Sequence, residues 1–96
     1  MSSTNRRYLR AAPFEGAGAK TADILHASAM RIGLPPRIEP LAVLYRDSTY
    51  MPDGLLVRTG TGILAHWTGS GLRSLDQRKA TAALDYLARQ EAKNAD

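Results

Sequence analysis

The sequence predicts an α+β domain: a three-stranded antiparallel sheet with two helices packed on one face, in the order helix, strand, strand, strand, helix. Three observations predict it. Residues 21–32 repeat apolar side chains at helical spacing and run into Gly33 and Pro35-Pro36. Three short apolar runs follow, separated by turn residues. A long amphipathic segment then extends from Ser74 to about Lys93.

In the first helix, Ala22, Leu25, Ala29 and Ile32 form one stripe and are expected to face the core. Thr21 is the expected N-cap, and Asp23 suits the positive end of the helix dipole. Gly33 is a natural first residue beyond the helix, and the two prolines prevent continuation.

Pro40 leads into the first strand, Leu41 to Arg46, with Leu41, Val43 and Tyr45 expected on one side and Ala42, Leu44 and Arg46 on the other. Residues 47–53 read as a loop. In the second strand, 54–59, Leu55 and Val57 alternate with Leu56 and Arg58. Gly60-Thr61 is expected as a two-residue hairpin turn with Gly first. The third strand, 62–68, puts Ile63, Ala65 and Trp67 on one side and Leu64, His66 and Thr68 on the other. Gly69-Ser70-Gly71 connects it to the last helix. There Ser74 is the expected cap, and Ala80, Ala83, Leu84, Leu87 and Ala88 make the buried stripe. The domain spans residues 21–93, preceded by a flexible basic arm over 1–20 and followed by a short tail over 94–96. In the arm, Tyr8, Leu9 and Phe14 are the large apolar groups able to dock.

A chain of 96 residues holds one small domain, and its 44% hydrophobic content supports a modest core. Cysteine is absent, which excludes disulfides and thiolate zinc sites. No apolar run approaches the roughly 18 residues that span a bilayer, and the first ten residues lack the apolar segment of a secretory signal. The expectation is a cytoplasmic protein with no membrane contact.

Net charge is +4, with an isoelectric point near 9.9. The excess sits early: Arg6, Arg7, Arg10 and Lys20 oppose only Glu15. Such a balance points to a polyanionic partner. Phosphate contacts are expected from Arg6, Arg7, Arg10, Arg73, Arg78 and Lys79, and Tyr45, Tyr50 and Trp67 are candidates for stacking or for a protein interface. Arg73 would stand near the free N–H groups that open the last helix, a place that suits an anion.

Catalytic patterns are missing. His26 and His66 lie far apart in sequence with no carboxylate at diagnostic spacing, so neither a metal site nor a general base is expected. Gly69-Ser70-Gly71 is not a nucleophile elbow, and the glycines at 60, 62, 69 and 71 are followed by no Gly-Lys-Ser or Gly-Lys-Thr of a phosphate loop. No cofactor and no metal are implied, and the chain reads as a non-enzyme.

Residues 25–36, from Leu25-His26-Ala27 to Gly33-Leu34-Pro35-Pro36, resemble the first helix and Gly-Leu-Pro exit of the double-stranded RNA-binding domain. Gly69-Ser70-Gly71 ahead of Ser74 is similar to that family's Gly-x-Gly lead into its second helix, and Ala82-Ala83 and Leu87 match small and apolar positions of that helix. The likeness covers about residues 21–88. The family carries Lys at the first, second and fifth positions after the Ser; here these are Leu75, Asp76 and Lys79, so only the last agrees. Tyr50-Met51-Pro52-Asp53 stands where the family has Gly-Pro-x-His. The resemblance implies shape-driven contact with an A-form groove, with phosphates held by Arg73, Arg78, Lys79 and the arm.

The function expected is therefore a small binding module that contacts nucleic acid, duplex RNA or a non-specific target. The alternative is an inhibitor or adaptor of the type carried by phages and mobile elements, an anti-CRISPR or other anti-defence protein, acting on a host protein. Either open edge of the sheet can pair across a two-fold axis to give a homodimer.

Overall fold

The structure is a computed structural model that describes residues 9–46 and 51–94. Its centre is a five-stranded antiparallel meander: β1 (Ala11–Ala12), β2 (Glu39–Tyr45), β3 (Pro52–Arg58), β4 (Leu64–Trp67) and β5 (Leu72–Ser74), hydrogen-bonded in that order. Helix α1 (Thr21–Arg31) links β1 to β2, and α2 (Gln77–Asn94) follows β5. The fold is α+β, with two strands more than the sequence predicts. Both additions are edges with weak signals. β1 is two residues long, and β5 is exposed at all three positions, so neither shows an apolar alternation.

The helices lie on opposite faces of the sheet, which corrects the expectation that both cover one. Val43, Leu55, Val57, Ala65 and Trp67 pack with Ala27 and Phe14 on the α1 side. Ala42, Leu44, Leu56 and Leu64 pack with Ala80 on the α2 side. In β2 and β3 three consecutive apolar side chains are buried, Ala42-Val43-Leu44 and Leu55-Leu56-Val57, because successive side chains enter two different dry layers. Each large aliphatic side chain so buried contributes about 1.5–3 kcal/mol.

β2 and β3 are irregularly paired. Pro40 faces Val57 and Ala42 faces Leu56, so Leu41 is an extra residue and turns with Ala42 toward the α2 layer. It therefore parts from Val43 and Tyr45, which stay on the α1 side. Further on, Val43 faces Leu55 and Tyr45 faces Pro52, leaving Asp53-Gly54 as a bulge opposite Leu44.

Helix α1 is turned about its axis relative to the expected stripe. Asp23 and Ala27 are the buried positions, with His26 and Met30 half-buried beside them. Leu25 is 63% exposed and Ile32 78% exposed. Three polar contacts fix this rotation. The Tyr45 hydroxyl donates to the Asp23 carboxylate, 2.7 Å from Oδ1 and 2.9 Å from Oδ2. The Gly54 N–H donates to His26 Nε2 at 2.8 Å, and Trp67 Nε1 donates to the Met30 carbonyl at 2.7 Å. Asp23 and Ala27 dock here, and Ile24, Leu25 and Ile32 look outward. The residue preceding the helix is Lys20, without a side-chain cap, in place of the Thr21 cap. Gly33 follows the terminal Ile32 as expected.

The β3–β4 turn is a three-residue loop, not the two-residue Gly60-Thr61 turn. Gly62 N–H donates to the Thr59 carbonyl at 2.9 Å and Thr59 N–H to the Ile63 carbonyl at 2.9 Å. Gly62 takes the left-handed position, φ +89°, that completes this loop type. At α2 the cap is Asp76, whose Oδ1 accepts from the N–H groups of Arg78 at 2.9 Å and Lys79 at 3.2 Å. Ser74, the expected cap, ends β5 instead. Gln77 anchors the helix start to the sheet: its Nε2 donates to the Leu64 carbonyl at 2.7 Å and its Oε1 accepts from the Leu64 N–H at 2.9 Å.

Part of the stretch read as a flexible arm belongs to the fold. Ala11 and Ala12 pair with Leu44 and Val43, and Phe14 is buried under the Arg31 guanidinium, 5.4 Å from the ring centre. Arg6, Arg7, Tyr8 and Tyr50 lie outside the described residues.

Candidate nucleic-acid interface

β1 and α2 form the two walls of a groove of about 580 Å³. Lys79, Ala82, Ala83 and Tyr86 make one wall, at the i, i+3, i+4, i+7 spacing that aligns side chains along a helix. Leu9, Arg10, Ala11 and Ala12 make the other, with Lys20 at the entry to α1 and Tyr45 at the base. Small Ala side chains on both walls keep the groove open. Arg10, Lys20 and Lys79 all line it, and among the described residues of its lining none is acidic. Beyond Tyr86 a second depression of about 930 Å³ continues along α2, where Glu15 and Glu91 introduce negative charge. The groove thus has a basic end and an acidic end.

Tyr45 shows the local electrostatics. Burial pushes its hydroxyl up most, then the hydrogen bond to Asp23 and the Asp23 negative charge; Arg10 acts in the opposite direction, and the result is about 12. Arg10 is therefore close enough to be felt at the phenol. The hydroxyl is committed to Asp23, so Tyr45 serves the α1–sheet contact and presents no free polar tip to a ligand.

The structure separates the residues expected at a site. Arg10 and Lys79 meet in the groove. Arg78 is exposed next to Lys79 in the first turn of α2. Arg73 sits in β5, at the opposite edge of the sheet from β1, four strand spacings or about 19 Å away. Trp67 is a correction: it is 7% exposed, and its ring belongs to the α1-side core, so it offers no stacking face. Two groove residues escape a reading of the sequence for site residues. Lys20 counts only as arm charge there, and Tyr86 stands one position off the buried α2 stripe. Its signal was present: an aromatic seven residues after Lys79, on the side of an amphipathic helix that the core does not use.

His26 and His66 come together through a single peptide unit. The Asp53–Gly54 peptide gives its N–H to His26 Nε2 and accepts at its carbonyl from His66 Nε2. Both ring nitrogens that face the bulge are thereby engaged. Among the described residues no group of three or more His, Cys, Asp or Glu side chains gathers to hold a metal ion. Among them, too, no helix is long and apolar enough to cross a membrane. Comparison with protein-family models, with curated proteins and with solved structures finds no match.

Proposed function

We propose that this chain is a non-enzymatic binding module whose partner is a nucleic acid, held by phosphate contacts in the groove between β1 and α2. One observation carries the reading: Arg10, Lys20 and Lys79 line one groove. Cations collected on a concave surface attract a polyanion and gain affinity by releasing its counterions. Arg6 and Arg7, expected to contact phosphate, lie outside the described residues, and Arg78 stands next to Lys79 on α2. Arg73, on the far edge, is left out of this contact.

The test is fluorescence anisotropy of labelled duplex RNA, duplex DNA and single-stranded RNA between about 50 and 300 mM salt. The expected result is micromolar or tighter binding that weakens steeply with salt, and that Arg10→Glu with Lys79→Glu removes. Absence of binding to all three at the lowest salt overturns the proposal.

A second reading, an inhibitor or adaptor that binds a host protein, is favoured by the outward side of α1. Ile24, Leu25 and Ile32 are exposed there, and Ala22, Ser28 and Ala29 between them carry no charge. On this reading Leu25→Glu and Ile32→Glu abolish capture of the partner in affinity pull-down, and salt has little effect.

A further inference from the structure

We infer that the groove takes single-stranded rather than duplex nucleic acid, with Tyr86 as the platform on which a base stacks. The inference rests on the nucleic-acid reading above and names the form of the ligand.

Two features of the groove select a single strand. The first is shape. The cations line a concavity whose walls are β1 and α2, and a duplex is a convex rod that meets such walls only at their rims. A single strand is thin enough to lie between them. The second is the position of the aromatic. Tyr86 is 58% exposed and shares the α2 wall with Lys79, two helical turns away. A phosphate held by Lys79 or Arg10 therefore brings its own or a neighbouring base toward the Tyr86 ring. In a duplex that base face is covered by the next base pair, and stacking is unavailable. In a single strand it is open, and aromatic stacking with a cationic groove is the usual means of holding it. Tyr45 cannot take this part, since its hydroxyl is tied to Asp23 and the ring packs against the α1-side core. The Ala11, Ala12, Ala82 and Ala83 walls leave room for the base and have no side chains to read its edge, so the contact is tolerant of sequence.

The test compares a labelled oligothymidylate, a duplex of equal length and an abasic strand with the same phosphates, at about 100 mM salt. The thymidylate is expected to bind at least about tenfold tighter than either of the others. Tyr86→Ala, at an exposed position that leaves far-UV circular dichroism unchanged, is expected to weaken it about 5- to 100-fold. Tyr86→Phe keeps the ring and is expected to stay within about twofold of the parent. Equal affinity for duplex or abasic strand, or a Tyr86→Ala variant that binds like the parent, overturns the inference while leaving the phosphate-binding reading intact. Failure of every nucleic acid to bind at about 50 mM salt overturns both.

Discussion

His26 and His66 hold the two ends of one peptide unit: the Gly54 N–H donates to His26 Nε2 at 2.8 Å, and the Asp53 carbonyl accepts from His66 Nε2. His26 belongs to α1, and His66 pairs across the sheet with Leu56, whose side chain lies in the α2 layer. The bulge turns this peptide out of the sheet plane, so its donor and acceptor point to different layers and need side-chain partners. The donor requires His26 Nε2 to be bare, with the ring proton on Nδ1, and the acceptor requires a proton on His66 Nε2. Opposite proton placement at the two Nε2 atoms is therefore expected. Long-range proton–nitrogen correlation of the two imidazoles reads this directly. His26→Ala leaves a backbone N–H without its acceptor and should cost about 1–3 kcal/mol in urea unfolding.

Tyr45 gives a stability change at alkaline pH. Its pKa rises from the ordinary 10.0 to about 12 through burial first, then through the Asp23 hydrogen bond and charge. The folded protein thus holds the phenolic proton more tightly than the unfolded chain. The resulting stabilisation is complete below pH 10.0 and is lost as pH rises through about 12. Tyr45→Phe cannot titrate. The stability difference between parent and variant, followed by denaturant unfolding from pH 9 upward, should shrink across that window; a constant difference would refute the assignment.

Gly54 is required twice over. Its φ is +88°, and a Cβ there would run into the Trp67 carbonyl oxygen and stand 2.7 Å from His66 Nε2. The carbonyl is backbone in a paired strand and cannot yield cheaply. Gly54→Ala is expected to destabilise by about 3 kcal/mol or more, from the left-handed conformation and the overlap together. Gly71 offers a control, since a Cβ added there meets nothing within 4 Å. Gly71→Ala should leave the unfolding midpoint nearly unchanged.

Leu56 and Leu25 separate what sequence pattern could and could not say. Leu56 is fully buried in β3 and Leu25 is 63% exposed on α1. Leu56→Ala should cost about 2–5 kcal/mol, and Leu25→Ala less than about 0.5 kcal/mol, as for an ordinary surface position. Chemical denaturation of the two variants side by side checks both figures. Periodicity alone ranks Leu25 as core, because the most apolar stripe of α1 runs through it. The helix instead docks through Asp23, His26 and Met30, and those contacts depend on Tyr45, Gly54 and Trp67, residues from three different strands.

The candidate groove divides in the same way. Arg10 and Lys79 stand out by charge, but nothing local indicates that they share a groove while Arg73 lies at the other edge. That follows from the strand order, which puts β1 and β5 at opposite sides of the sheet.

Local chemistry determined both helices, the exit at Gly33, the three inner strands and the apolar stripe of α2. Helical spacing, chain-breaking residues and short apolar runs act within a few residues of each other, so the sequence alone carries them. The consecutive buried residues 42–44 and 55–57 also contained the sign of a sheet covered on both faces, since one dry face would have required alternation. Tertiary structure decided the two edge strands, the rotation of α1, the Asp53–Gly54 clamp and the assembly of Arg10, Lys20, Lys79 and Tyr86. Each of these depends on hydrogen bonds or packing between residues distant in the chain, and their partners are chosen only when the sheet order brings the layers together.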